Sequence, residues 1–317
     1  MRYIISGYGP GLGGVPKLIE YLSQKSGNNV SMIYPMTLKI KNYFFRKMIE
    51  RIFFRVFFWI KLFKLKGKKK LTQINVKNLI EAKIAIEANI DLLITGYKAV
   101  KEIRNIAKNK FITAAIPFTE FKTNDEILSA SLSALENGAD AIYTARSVRV
   151  VEYLSNESVP VMAHLGLVPR KSIITGGLRA FGKNPDEALF LLKSFKNMEN
   201  AGAFSVEAEV IAEKTLGFIS QNCNLITVSL GSGNSGDVNY LFMDDICGEN
   251  KYLPRHAISF AKVYKLRDKI YSEKLKAVKK YSKKAKTNNF VPQNKIVQIT
   301  PENLQIFKKK AVESLNK

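Results

Sequence analysis

The sequence has 317 residues, 46% of them apolar, with 50 Lys and Arg against 27 Asp and Glu and a formal net charge of +23. That composition is typical of a globular protein with a sizeable core, and the positive charge favours anionic ligands. With only His164 and His256 a His-rich zinc site is excluded, and Cys223 and Cys247 are too far apart in sequence for a metal-ligand motif. No secretory signal is recognisable, so we expect reduced thiols and a cytoplasmic protein.

The first 34 residues read as a strand, a glycine turn, a helix and a second strand. The strands are predicted at 2–6 and 29–34 and the helix at 15–23, with the turn Gly7–Gly14 between the first strand and the helix. Glycines at such a junction let the backbone approach a phosphate, although the spacing matches neither GxGxxG nor a Walker P-loop. The segment resembles the opening of nucleotide-sugar glycosyltransferases, which suggests a glycosyltransferase-like N-terminus fused to the rest of the chain.

Residues 35–70 form a basic, aromatic segment with twelve Lys or Arg and one acidic residue, Glu50. Lys47, Arg51 and Arg55 recur every four residues, so a helix would place them in one stripe beside a broad apolar face. Such a helix suits an anionic membrane surface, and it equally suits packing on the rest of the protein with a solvated basic face. Nucleic acid is a less favoured partner. The apolar run 52–60 is too short to span a membrane.

From Lys70 onward short apolar strands alternate with amphipathic helices. In about 220 residues this rhythm predicts a closed (β/α)8 TIM-type barrel, and an open doubly wound sheet is the alternative. The predicted strands are 91–95, 111–115, 140–143, 159–163, 204–208 and 225–230. The predicted helix 125–137 has Ile127, Leu128, Leu132 and Leu135 on one face.

Three domains are expected: an N-terminal extension at 1–69, the barrel at 70–293 and a C-terminal tail at 294–317. The end of the barrel range is a Lys-rich helix that runs from Tyr264 through Lys283.

Ordered motifs in the second half of the chain resemble those of the ketopantoate (3-methyl-2-oxobutanoate) hydroxymethyltransferase family. PVMAHLGLVP at 160–169 is similar to the family's PVMGHIGLTPQ, and AGAF at 201–204 with Glu209 after it is similar to AGAF…LE. The other matching segments are Gly176, Gly177 and Gly182, then Leu230–Gly233 with Gly236 and Asp237, then Pro254–Ala257, and then Asn289–Pro292.

The resemblance implies a barrel of the phosphoenolpyruvate mutase and isocitrate lyase group. It implies transfer of a one-carbon unit from methylene-tetrahydrofolate to a small 2-oxo acid, 3-methyl-2-oxobutanoate, in pantothenate biosynthesis, and a homo-oligomer. Family members use a magnesium ion held by aspartates. Such an ion stabilises the enolate oxygen while a general base removes the neighbouring proton.

The resemblance also assigns positions within the site. The family's acidic residues fall on Tyr97, Ala115 and Ala145, so no metal ligand is predicted at those positions, and the family's lysine falls on Tyr143. Glu209 matches the family's catalytic acid–base position. The alternative role of Glu209 is structural: a glutamate in the first turn of a helix, where its charge favours the helix dipole.

Four further residues are candidates for binding the substrate. His164 is expected to contact a carboxylate or to line the pocket. Lys98 would supply a fixed positive charge in place of the metal or else begin a surface helix. Ser232 and Gly233 follow a strand, where backbone N–H groups can hold an anion or simply shape a loop. The competing function is a catalytically retired barrel that binds a small acid or a protein partner.

Overall fold

The structure is a computed structural model that describes residues 58–287 and 290–316. The glycine turn Gly7–Gly14, the two N-terminal strands, the helix between them and the Lys47–Arg55 stripe lie outside the described residues. The chain divides into two compact units, with the boundary between Ala261 and Lys262. The domain limits expected at 69/70 and 293/294 stay a prediction.

The first unit contains eight parallel strands that close into a barrel in the order of the sequence. This arrangement confirms the (β/α)8 TIM-type fold and excludes the open doubly wound sheet. The strands are β1 (Leu71–Asn75), β2 (Leu92–Gly96), β3 (Phe111–Ala115), β4 (Ala141–Tyr143), β5 (Val161–Gly166), β6 (Ser205–Glu209), β7 (Ile226–Leu230) and β8 (Val238–Phe242). The predicted strands differ from these by two residues or fewer at their starts.

Helices connect the strands on the outside of the barrel. The chain is helical over 58–65, here named α1. The helices that follow in the first unit are α2 (Leu79–Glu87), α3 (Val100–Ile106), α4 (Asn124–Glu136), α5 (Val148–Asn156), α6 (Pro185–Asn200), α7 (Glu213–Gln221) and α8 (Met243–Cys247). Short 3-10 turns lie at Tyr97–Ala99 and Pro169–Thr175.

Helix α1 covers the end of the barrel at which the strands begin. Leu62 is buried among the first residues of several strands, including Phe111 of β3. The Trp59 ring lies edge-on to the rings of Phe111 and Phe204, with centroids 5.1 and 4.5 Å apart. The described part of the basic aromatic segment is therefore packed against the protein through its apolar face. Binding of this segment to a membrane surface, the alternative role, then depends on residues of the segment outside the described range.

The most deeply buried residues of helix α4 are mostly small. Leu132 is 43% exposed, whereas the small residues Ala130, Ser131 and Ala134 are buried together with Ile127. Small side chains let the helix approach the strands closely, so the leucines lie at the margins of the contact. The predicted apolar face is therefore only partly buried, because Leu128 and Leu135 pack against the core whereas Leu132 is exposed.

The second unit contains two further helices, α9 (Val263–Ala285) and α10 (Pro301–Leu315), and neither buries a residue. The range 294–317, expected as a tail, thus includes a helix. Within the described ranges, no helix is long and apolar enough to span a membrane.

Candidate active site between strands β5 and β6

Two glutamates of β6 point into the barrel. In the strand sequence Ser205-Val206-Glu207-Ala208-Glu209, alternate side chains face opposite sides of the sheet. Val206 and Ala208 pack in the apolar layer with residues of the surrounding helices, so Glu207 and Glu209 face the interior. The parallel register of β5 and β6 places His164 beside Glu207. Three ionisable side chains thus meet towards the carboxyl ends of these strands, the face where barrel enzymes carry their chemistry.

The cluster comprises His164, Glu207, Glu209 and Tyr143, and the first three are each no more than 6% exposed. His164 Nε2 lies 3.0 Å from Glu209 Oε2 and 3.5 Å from Glu207 Oε1. On the other side of the ring, Nδ1 hydrogen-bonds the Tyr143 hydroxyl at 2.7 Å. The same hydroxyl donates to Glu207 Oε1 at 3.1 Å.

Backbone contacts fix the ends of β5 and β6 relative to each other. Leu167 N donates to the carbonyl of Glu209 at 2.8 Å. Gly166 has φ +88°, and a Cβ at this position would lie 2.3 Å from the same carbonyl oxygen. Immediately after Glu209, Val210 has φ +51°, a left-handed conformation that is rare for a β-branched residue. The strand ends are therefore closely packed and strained where the cluster is built.

Burial changes the protonation of the cluster. It raises the pKa of Glu207 to about 7, and the nearby His164 only partly opposes this rise. Burial works to lower the pKa of His164, but the charges of Glu207 and Glu209 outweigh it and raise that pKa. The pKa of Tyr143 is raised well above its usual value, first by burial and then by the carboxylates, so the phenol stays protonated. Near neutral pH the cluster can thus both donate and accept protons.

The positions that the resemblance assigns to magnesium do not fit that ion in this chain. Ala115 and Ala145 offer no side-chain ligand. The Tyr97 hydroxyl donates to Glu120 Oε1 at 2.5 Å and, as a neutral phenol, is a poor ligand for a hard dication.

Lys98 is engaged in a surface ion pair. Its Nζ lies 2.7 Å from Glu120 Oε1, and its side chain is 73% exposed. The structure thus does not place Lys98 in the buried cluster with Glu209 and His164, and its role in substrate binding stays a prediction.

Ser232 and Gly233 lie in the loop after β7, at the same end of the barrel. Ser232 Oγ donates to the Ala208 carbonyl and accepts from Ile211 N, at 2.8 and 2.7 Å. The N–H of Asn234 donates to the Glu213 carboxylate at 2.8 Å. The chain therefore supplies its own anion to this loop, and binding of a substrate anion by Ser232 and Gly233 stays a prediction.

Sequence reasoning found Glu209 and His164 but missed Glu207. The signal was present, since two glutamates separated by one residue in a strand lie on the same face. A carboxylate in the middle of a strand buried on both sides carries a desolvation cost that a structural residue would avoid. Tyr143 was identified only as a replaced lysine, whereas the structure makes it the link between His164 and Glu207.

Comparison with known proteins shows the family to which the sequence is related. The sequence model of the family described as ketopantoate hydroxymethyltransferase matches residues 77–293. The 3-methyl-2-oxobutanoate hydroxymethyltransferase of Thermosipho melanesiensis is 29% identical over 255 residues, covering 73% of this chain and 94% of that protein. The enzyme of the same name from Pseudothermotoga lettingae is 26% identical over 253 residues, covering 71% and 93%.

Among solved structures, 2,3-dimethylmalate lyase of the PEP mutase/isocitrate lyase superfamily is similar to this chain. The match covers 81% of this chain and 98% of that one, at 12% identity and a TM-score of 0.40. The family match extends over more than half of the sequence and includes the whole buried cluster. The chain belongs to the ketopantoate hydroxymethyltransferase family.

Proposed function

We propose that this protein removes a proton from the carbon next to the carbonyl of a small 2-oxo acid and transfers a one-carbon unit to that carbon. The observation that carries the proposal is the buried cluster of His164, Glu207, Glu209 and Tyr143 in a barrel of this family. The relatives are named for 3-methyl-2-oxobutanoate, so we propose that acid as the substrate and methylene-tetrahydrofolate as the one-carbon donor.

In the proposed reaction Glu209 is the general base. It takes the proton from C3 of the oxo acid, and the electron pair of the broken C–H bond forms the C2–C3 double bond of an enolate. The carbon then attacks the methylene group of the folate, which forms a C–C bond and breaks one of the two C–N bonds of that group. Water replaces the second nitrogen, so the methylene group becomes hydroxymethyl. The proton taken by Glu209 and one proton of the water go to the two nitrogens of the released tetrahydrofolate. His164, with its raised pKa, offers positive charge in a buried site where the negative charge develops.

Proton exchange tests this function without the folate. The full-length protein is incubated with 3-methyl-2-oxobutanoate in D2O, and loss of the C3 proton signal is followed by NMR. We expect exchange above the solvent rate and a decrease of about 100-fold or more in Glu209→Gln, since a positioned base contributes that much. Glu199→Gln is the matched control, because Glu199 is a glutamate of α6 that bonds Asn224 before β7 begins, outside the cluster.

The alternative is a retired barrel that binds a small acid without turnover. The replacements at Tyr97, Ala115 and Ala145 favour it, since the family's acidic residues are absent there. If no exchange is observed at any concentration of magnesium, zinc or manganese, while the oxo acid still raises the melting temperature, the retired barrel replaces the enzyme as the better account.

Two further proposals concern the whole protein. We propose that it forms a homo-oligomer, which sedimentation velocity of the full chain measures directly. Peripheral attachment to an anionic membrane through the basic, aromatic segment 35–70 is the other. Flotation with phosphatidylserine vesicles tests it, and equal recovery of wild type and a Lys47→Ser, Arg51→Ser, Arg55→Ser variant removes it.

A further inference from the structure

The hydrogen bonds of Tyr143 determine which nitrogen of His164 carries a proton. The phenol has one proton, and it donates that proton to Glu207 Oε1 at 3.1 Å. The contact of 2.7 Å between the Tyr143 hydroxyl and His164 Nδ1 then requires Nδ1 to be the donor. In a neutral imidazole, Nε2 is therefore left with a lone pair and no proton.

That lone pair faces two carboxylates in a buried site. Nε2 lies 3.0 Å from Glu209 Oε2 and 3.5 Å from Glu207 Oε1, and it makes no hydrogen bond with either. Three electron-rich atoms so close together repel one another unless a positive charge lies between them. A proton on Nε2 would also supply positive charge, but Nε2 has no hydrogen-bond partner among the described residues, whereas a cation bound by all three atoms needs no N–H alignment.

A metal ion fits the same three atoms. One ligand atom from each of His164, Glu207 and Glu209 lies within 4.8 Å of the others. Bonds of roughly 2.0–2.2 Å in a tetrahedral zinc site place neighbouring ligand atoms roughly 3.3–3.6 Å apart, close to the separations at Nε2. The Tyr143 hydroxyl, held by Nδ1, orients the ring in the way that partners of metal-bound histidines commonly do.

We propose that His164 Nε2, Glu207 and Glu209 form a binding site for a divalent transition-metal ion of the zinc or manganese type. One nitrogen and two carboxylate ligands suit such ions better than magnesium, which prefers oxygen ligands alone. Three protein ligands leave at least one coordination position open for a substrate oxygen. The site differs from the family positions at Tyr97, Ala115 and Ala145, and its central new ligand is Glu207. It shares Glu209 with the proposed function, since one carboxylate oxygen would bind the ion and the other would take the proton, but it does not depend on turnover.

Metal binding is measured directly on the full-length protein after treatment with a chelator. Zinc is titrated by competition with a fluorescent chelator, with magnesium as the comparison ion. We expect one zinc per chain and magnesium at least about 10-fold weaker. Glu207→Gln is expected to lose at least about 10-fold in zinc affinity, and Tyr143→Phe about 10- to 100-fold through the orientation of His164. Glu199→Gln, outside the cluster, is expected to bind zinc like the wild type.

A second measurement keeps the proposal testable if a variant fails to fold. Crystals of the wild-type protein soaked in zinc are examined at the zinc absorption edge. An anomalous peak among His164, Glu207 and Glu209 supports the site. Absence of zinc binding by the wild type, unchanged affinity in folded Glu207→Gln, or a peak elsewhere overturns it. Because no substrate is present, zinc binding without proton exchange would end the proposed function and leave the metal site intact. Proton exchange without zinc binding would end the proposed metal site and leave the proposed function intact.

Discussion

Glu207 occupies an interior position in the middle of β6, where an apolar side chain would normally stabilise the barrel. Its carboxylate is almost fully buried and has a pKa raised to about 7 by that burial. Proteins retain such groups mainly where the chemistry requires them, so stability and function should respond in opposite directions when Glu207 is replaced. The hydroxyl of Tyr143 would keep His164 as a hydrogen-bond partner in that variant.

In the metal-free protein we expect Glu207→Leu to raise the free energy of unfolding by about 1–3 kcal/mol at pH 8, where the carboxylate is ionised. Urea unfolding measures the change. Zinc should raise the melting temperature of the wild type and leave the variant unaffected. A decrease in the stability of the metal-free variant by more than about 1 kcal/mol would show that Glu207 is a structural residue.

Gly166 is a residue whose backbone conformation holds the site together. Its φ of +88° and the 2.3 Å approach of a Cβ to the Glu209 carbonyl both oppose a side chain. We expect Gly166→Ala to lower the free energy of unfolding by more than about 1 kcal/mol and to reduce zinc affinity by moving Glu209. Gly96, at the end of β2, has φ −60°, and a Cβ added there would have no neighbouring atom within 4 Å. Gly96→Ala is the matched control, and equal losses in both variants would contradict this role of Gly166.

At the scale of single residues, sequence motifs were sufficient for Glu209 and His164 but not for Glu207. Motifs identify residues that match a family. Glu207 is not one of the matched motif residues, so comparison of motifs does not find it. Only the closed sheet shows that β5 places His164 beside it. Likewise, the sequence offered Lys98 as a replacement for the metal charge, but the fold pairs it with Glu120.

At the scale of elements, α1 is attached to the barrel by a buried ion pair as well as by its aromatic face. Lys66 Nζ lies 3.0 Å from Asp237 Oδ2, and Asp237 also accepts from Gly67 N and Thr227 N. Burial works to raise the pKa of Asp237, but the Thr227 hydrogen bonds and the Lys66 charge outweigh it and lower the pKa. The ionised carboxylate thus stabilises the folded state.

We expect Asp237→Asn to lower the free energy of unfolding by about 2–4 kcal/mol at pH 7. The folded pKa is below the ordinary value of 3.8, so this stabilisation is complete above 3.8 and is lost as pH falls through the folded pKa. Thermal melts of the two proteins should therefore converge in acid. Asp244→Asn, whose partner Lys77 is exposed, should cost less than about 1 kcal/mol. A gap that stays constant below pH 3.8 would contradict the assignment.

Element positions were predictable because buried parallel strands are short apolar runs separated by helices of regular length. The helix faces were less predictable. In α4 the residues that contact the barrel are distinguished by small size, a property that follows from the closeness of two packed layers. The surface against which α1 packs could not be predicted from the sequence either, because a basic aromatic helix suits a lipid surface and the end of a barrel equally well.

At the scale of the whole molecule, the closed barrel followed from the number of strand–helix units, and the family followed from motifs in fixed order. The function is harder to predict, since barrels of one topology support many reactions. Enolate formation requires positive charge near the oxygen, and this chain lacks the family's acidic residues at Tyr97, Ala115 and Ala145. The buried cluster between β5 and β6 supplies an alternative centre.

The most direct test is the rate of deuterium exchange at C3 of 3-methyl-2-oxobutanoate as zinc is added to the metal-free, full-length protein. We predict that the rate rises with bound zinc and reaches a plateau at one equivalent, and that Glu207→Gln remains at the solvent rate. A wild-type rate that stays at the solvent value after one zinc is bound would contradict this prediction.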